Sequence, residues 1–265
     1  MKMKVFPQLN HLALALVFCF VVSAPVQAHF GMIISDYPII SQENKEAALT
    51  LSFAHPFENH TMELVKPKTF FVVVNGEQQD LTGTLKEIQL NNHKAWSTSF
   101  SFQRPGVYQF IMEPQPYWEP SEDLSIIHYT KTIIPAYGDD EGWDTPAGLP
   151  TEIIPLLRPF GNYAGNSFTG QVLVKGIPAA NAEVEVEYYN PANTYKAPTD
   201  YHVTQLVKTD ANGVFSFTCP LAGWWGFAAL TEADYTIKNP QGEEKGVELG
   251  AVLWTYFHSI DQTTN

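Results

Sequence analysis

Cysteine is almost missing from this chain. It has two, Cys19 and Cys219, and Cys19 lies in the first apolar stretch, which reads below as a removable export signal. A lone remaining thiol permits no internal disulfide, so stability has to come from packed cores. Basic residues are also few, 15 Lys and Arg against 28 Asp and Glu. That balance argues against nucleic acid or anionic lipid as partner; it is compatible with cation attraction, but plain solubility is the simpler reading. After residue 28 no run approaches the ~18 continuous apolar residues of a membrane-crossing helix, and helical periodicity is scarce. No His-Glu-x-x-His, cysteine cluster, glycine-rich phosphate loop or Gly-x-Ser-x-Gly elbow occurs, so none of those signatures points to an enzyme. Asp and Glu abound, but nothing singles out a hydrolytic carboxylate pair.

What is present begins with the leader. Lys2 and Lys4 supply a positive start, Leu12 to Val22 is an apolar core too short to span a bilayer comfortably, and Val26-Gln27-Ala28 ends in small residues where a signal peptidase reads. Phe18 before Cys19 does not fit a lipoprotein signal. Cleavage after Ala28 makes His29 the first residue and removes 28 of 265 residues, leaving 237. Losing the two lysines moves the formal charge from −13 to −15. The expectation is a secreted, periplasmic protein.

Period-two alternation recurs through the rest. Leu49, Leu51 and Phe53 share one parity, as do Trp96, Thr98, Phe100 and Phe102; Thr69 to Val74 stops at Asn75-Gly76, a tight-turn signal. Ser125 to Ile134 is the last clear strand of this half. Residues 138–167 are rich in Gly, Pro, Asp and Asn, and read as an irregular connection with a short helical turn near Glu152 to Leu157. Regular strands resume at Phe168. In Ala182 to Tyr189 the valines point inward and Glu183, Glu185 and Glu187 point to a wet face. The expected fold class is all-β: two β-sandwiches, 29–137 and 168–258, joined by 138–167, with 259–265 as a tail.

Metal chemistry is the function these residues favour. A free amine and an imidazole on His29 can chelate one ion together, and an α-amine with a pKa of about 7.7–8.0 loses its proton cheaply at neutral pH. His55 continues the parity of Leu49, Leu51 and Phe53 to a strand end, where Pro56 stops the strand. His60 follows in the next loop. His128 sits inside the apolar strand Ile126 to Lys131, and Glu119, in the aromatic and acidic loop Pro116 to Asp123, can ligate or orient a ligand. The expected metal ligands are therefore His29, His55, His128, Glu119 and His60. His93 and His202 read as surface residues and His258 as a tail residue. Imidazole and amine donors suit Ni²⁺, Co²⁺, Cu²⁺ or Zn²⁺ and separate them poorly.

Two resemblances add to this. The order Gly170-x-Val172, Gly176-Ile177-Pro178, Ala182 to Val186 and Thr209-Asp210-Ala211-Asn212-Gly213 is similar to a transthyretin-like or carboxypeptidase-regulatory-like module. Ala28-His29-Phe30-Gly31-Met32, Ser52 to Phe57, Pro116 to Pro120, Ile127 to Lys131, Gly148 to Leu156 and Gly223 to Ala228 resemble the DUF4198 family. That resemblance implies a periplasmic component accompanying energy-coupling-factor (ECF) type nickel or cobalt uptake transporters, and brings no ligand set with it. The expected function is capture of Ni²⁺ or Co²⁺ and its supply to such a transporter, by a binding protein and not an enzyme. A copper histidine-brace oxidoreductase acting on polysaccharide and a metal-free adhesion module are the alternatives.

Overall fold

A computed structural model describes residues 29–260; the expected leader, Cys19 and residues 261–265 lie outside the described residues. In chain order the strands of the first half are β1 Phe30–Ser35, β2 Glu46–His55, β3 His60–Met62, β4 Thr69–Val74, β5 Glu77–Asp80, β6 Lys86–Leu90, β7 His93–Ser101, β8 Gly106–Glu113, β9 Tyr117–Glu119 and β10 Leu124–Ala136. There follow β11 Thr151–Pro155, β12 Asn162–Tyr163, β13 Ser167–Val174, β14 Ile177–Pro178, β15 Glu183–Tyr188 and β16 Gln205–Lys208. The chain ends with β17 Val214–Thr218, β18 Gly223–Glu232, β19 Ile237–Lys238, β20 Glu244–Lys245 and β21 Val247–His258. Among the described residues no helix is long and apolar enough to cross a membrane.

The strands form layered sheets. One sheet runs β1-β2-β7-β6 with β3 on β2; a ten-stranded sheet runs β16-β15-β18-β21-β10-β8-β4-β5 with β9 on β10 and β12 on β21. A third runs β11-β13-β14 with β17 on β13. The alternating apolar residues explain the layers. Leu49, Leu51, Phe53 and Trp96 of the first sheet pack on Phe70, Val72, Phe110 and Met112 of the large one. Farther along the same large sheet, Val184, Val186, Phe227 and Leu253 pack on Ile153, Phe168 and Val172 of the third. Both halves are β-sandwiches that share the ten-stranded sheet.

The seam between them is the parallel pair β10–β21, in register from Ser125↔Val247 to Thr132↔Trp254. Every residue of β10 after Leu124 is buried, in keeping with a strand covered on both faces. β1 crosses beside this seam. Its Phe30 and Met32 pack on Ala228, Val252 and Trp254, and the Trp254 indole N–H donates to the Gly31 carbonyl at 2.8 Å. Full burial of each such large side chain contributes roughly 1.5–3 kcal/mol, which fixes the start of β1 firmly.

Two local expectations are corrected. Thr151–Pro155 is a strand paired with β13, not a helical turn; Ile153 is needed in the core, and Glu152 pairs with the buried Lys131 at 3.2 Å while accepting the Ala147 and Gly148 N–H groups. Nor do all three glutamates of β15 face water: Glu185 and Glu187 are buried. The segment after β2 covers Glu187, whose carboxylate accepts the Phe57 N–H at 3.1 Å and the Thr204 hydroxyl.

Candidate metal centre

Sheet register assembles a row of imidazoles. β1 and β2 pair antiparallel with Phe30 opposite Ala54, which sets His29, one residue before β1, level with His55 at the end of β2. β2 and β3 pair with His55 opposite His60, across a turn in which Asn59 takes φ 52°, a left-handed value Asn tolerates. The ring centroids stand 4.7 Å apart for His29 and His55, 5.6 Å for His55 and His60, and 6.5 Å for His60 and His93. His93 reaches the row because β3 packs beside β7, and its Nδ1 lies 3.1 Å from the Thr61 hydroxyl. The row grades from the exposed His60 to the buried His55.

Glu119 closes one end. β9 pairs with β10 through Trp118↔Ser125 and brings Glu119 Oε2 to 3.2 Å from His29 Nε2. Its other oxygen accepts the Ser121 N–H at 3.0 Å and the Ser121 hydroxyl at 2.6 Å. Burial works to raise the Glu119 pKa, but the two Ser121 donors and the field of His29 outweigh it and hold the carboxyl below its ordinary range. His29 is pushed down to about 4, first by burial, then by His55 and His128, against the opposing pull of Glu119 and Glu248. A neutral imidazole beside an ionised carboxylate at neutral pH is the protonation state in which both can ligate.

His128 lies off this row, and the Phe53 ring touches both it and His29. Phe53 stacks on His29 at 5.6 Å and meets His128 edge-on at 5.9 Å. The parallel register places His128 opposite Gly250, where a Cβ would lie 2.6 Å from His128 Nε2. Glycine inside this strand makes room for the imidazole. Nε2 is 3.5 Å from Glu248 Oε1, an ion-pair distance outside hydrogen-bonding geometry, and neither ring nitrogen has a hydrogen-bond partner among the described residues. Beside it opens a cavity of about 170 Å³ bounded by Phe53, Met112, Tyr117, Trp118, Ile126 and His128.

Of the residues expected from sequence, His29, His55, His60 and Glu119 are thus brought together, and His128 lies one aromatic ring away. His93 joins the row although its hairpin position suggested surface. Glu248 carries no local motif; the glycine two residues on, at 250, was the available sign of a close approach. His258 continues β21 and packs on Tyr256 at 4.8 Å, and His202 makes a local contact, its Nδ1 lying 2.9 Å from the Thr199 hydroxyl. Among the described residues no three His, Cys, Asp or Glu side chains stand as a finished ligand cage. His29 and Glu119 are in contact, and His55 is the next ring.

A family model described as a domain of unknown function, DUF4198, matches residues 26–233. No curated protein matches the chain. Among solved structures, the D0-D1 domain of intimin is similar at 12% identity and a TM-score of 0.26, over 87% of this chain and 100% of that one. An adhesin, InvE, of Yersinia pseudotuberculosis is similar at 13% identity and a TM-score of 0.23, over 83% of this chain and 58% of that one.

Proposed function

We propose that this chain, which belongs to the DUF4198 family, is an exported protein that captures Ni²⁺ or Co²⁺ at His29, His55 and Glu119 and supplies it to an ECF-type uptake transporter in the membrane. The observation that carries this reading is the contact of His29 with Glu119, with the His55 ring 4.7 Å from that of His29. Cleavage after Ala28 would free the His29 amine, adding a nitrogen to two imidazoles and a carboxylate. Such a borderline donor set suits late first-row divalent ions. Ser121 orients Glu119 from behind, as outer partners of metal ligands commonly do. His60 and His93, nearer solvent, would receive the ion first and pass it inward. The second sandwich, read as transthyretin-like, would serve as an accessory module.

Equilibrium dialysis of the chain beginning at His29 tests this. His29→Ala and His55→Ala should each lower Ni²⁺ and Co²⁺ affinity by about 10–100-fold. Unchanged affinity in both variants would remove the site. A second reading draws on the same pair: an amine with two imidazoles could hold copper for oxidation of a polysaccharide. Selectivity for Cu²⁺ with oxidative turnover of a glycan would favour it, and Ni²⁺ or Co²⁺ selectivity without turnover would exclude it.

A further inference from the structure

The His128 side of Phe53 has its own chemistry. His128 is 2% exposed, and an imidazole so deeply buried with no hydrogen-bond partner among the described residues forfeits hydrogen bonds that native interiors rarely forgo. The surroundings are acidic. Along the ten-stranded sheet, Glu183, Leu230, Gly250 and His128 form one cross-strand row, and Glu185, Ala228, Val252 and Thr130 form the next on the same face. Glu248, two residues before Gly250, shares that face. Glu185 is buried, and Glu248, Glu187, Glu122 and Glu183 all act on it electrostatically. Glu122 lies in the fields of Glu248, Glu119 and His128.

Basic groups nearby are otherwise engaged. Lys245 pairs with Asp123 at 2.6 Å and Glu243 at 3.4 Å, and Lys208 pairs with Glu183 at 3.0 Å. Buried carboxylates without a cationic side chain call for another positive charge or for protonation.

We infer that the chain holds a second divalent cation between His128 and Glu248, with Glu122 closing from its loop and Glu185 behind, beside the His29 centre. His128 Nε2 already faces the Glu248 carboxylate at 3.5 Å, and Gly250 leaves the imidazole its space. Glu248 is one-fifth exposed and Glu122 is exposed, so an ion can enter from the Pro120–Asp123 side. One imidazole among carboxylates is a harder donor set than the histidine row, and it suits Mn²⁺ better than the nitrogen-rich centre does.

The test is titration of the chain beginning at His29 with Mn²⁺, counting free ion by its electron paramagnetic resonance signal. One Mn²⁺ should bind, with affinity falling about tenfold or more in Glu248→Gln and in the exposed-loop variant Glu122→Gln. His55→Ala should leave Mn²⁺ binding unchanged. No Mn²⁺ binding, or binding indifferent to both glutamine variants, would overturn the inference. Loss of Mn²⁺ in His55→Ala would show a single shared site and overturn it too. Mn²⁺ binding that persists where Ni²⁺ affinity proves indifferent to His29 and His55 would sink the capture reading and leave this one standing. Thermal unfolding of each variant separates ligand loss from misfolding.

Discussion

His29 Nε2 and Glu119 Oε2 stand 3.2 Å apart, joining the first described residue to a short strand far along the chain. At this contact burial and the neighbouring histidines keep the imidazole neutral, while Ser121 helps keep the carboxyl ionised. The His29 ring should therefore titrate at about 4. Its unfolded value is the ordinary 6.5, so the unfolded chain binds more protons between those values and this residue's contribution to stability is lost as pH falls from 6.5 toward 4. Histidine proton chemical shifts against pH check it; a midpoint near 6.5 would contradict the burial argument.

Ser121 should matter for metal binding without touching the ion. Ser121→Ala removes the hydroxyl donor and leaves the backbone one, so the Glu119 carboxyl rises toward its ordinary range. Ni²⁺ affinity should fall about tenfold, more at pH 5 than at pH 8, because the proton competes harder at low pH. Calorimetric titration at the two pH values reads both effects.

Glu187 predicts the opposite pH behaviour from His29. Burial is the main cause that pushes its carboxyl up to about 8, from an ordinary 4.5, despite donation from Thr204 and Phe57. Between those values the folded chain binds more protons than the unfolded one, so this group's effect on stability worsens as pH rises from 4.5 to 8. Glu187→Gln can still accept the Phe57 N–H and can donate to Thr204. It should flatten the decline and raise the thermal midpoint at pH 8 relative to the parent, as measured by scanning calorimetry.

Lys131 and Glu152 form a buried pair, with side chains only 2% and 3% exposed. Removing one partner strands the other. Glu152→Ala should cost about 3–5 kcal/mol, whereas replacing both residues by apolar ones should recover part of that. Urea unfolding of the single and double variants checks the pair.

Most strands were legible because alternation survives in local sequence. Leu49, Leu51 and Phe53 do line the core, and Asn75-Gly76 does turn β4 into β5, with φ of 51° and 77°. The glutamates of β15 show where that logic stops. Their parity was readable, but a distant segment, the stretch after β2, buries Glu187, and no local pattern announces it. The same holds for the site. His29, His55, His60 and Glu119 carried signals in position and motif. His93 and Glu248 enter only through β3 beside β7 and through the parallel β10–β21 pair, both contacts between segments far apart in the chain.

In the proposed centre the amine and imidazole of His29 hold one ion together. Calorimetric titration of Ni²⁺ into the chain beginning at His29, beside the same chain carrying one extra N-terminal Met, tests it most directly. The extra residue leaves every side chain in place and moves only the amine. Affinity should drop about 10–100-fold in the extended chain, and proton release on binding should shrink. Equal affinity in the two chains would contradict it.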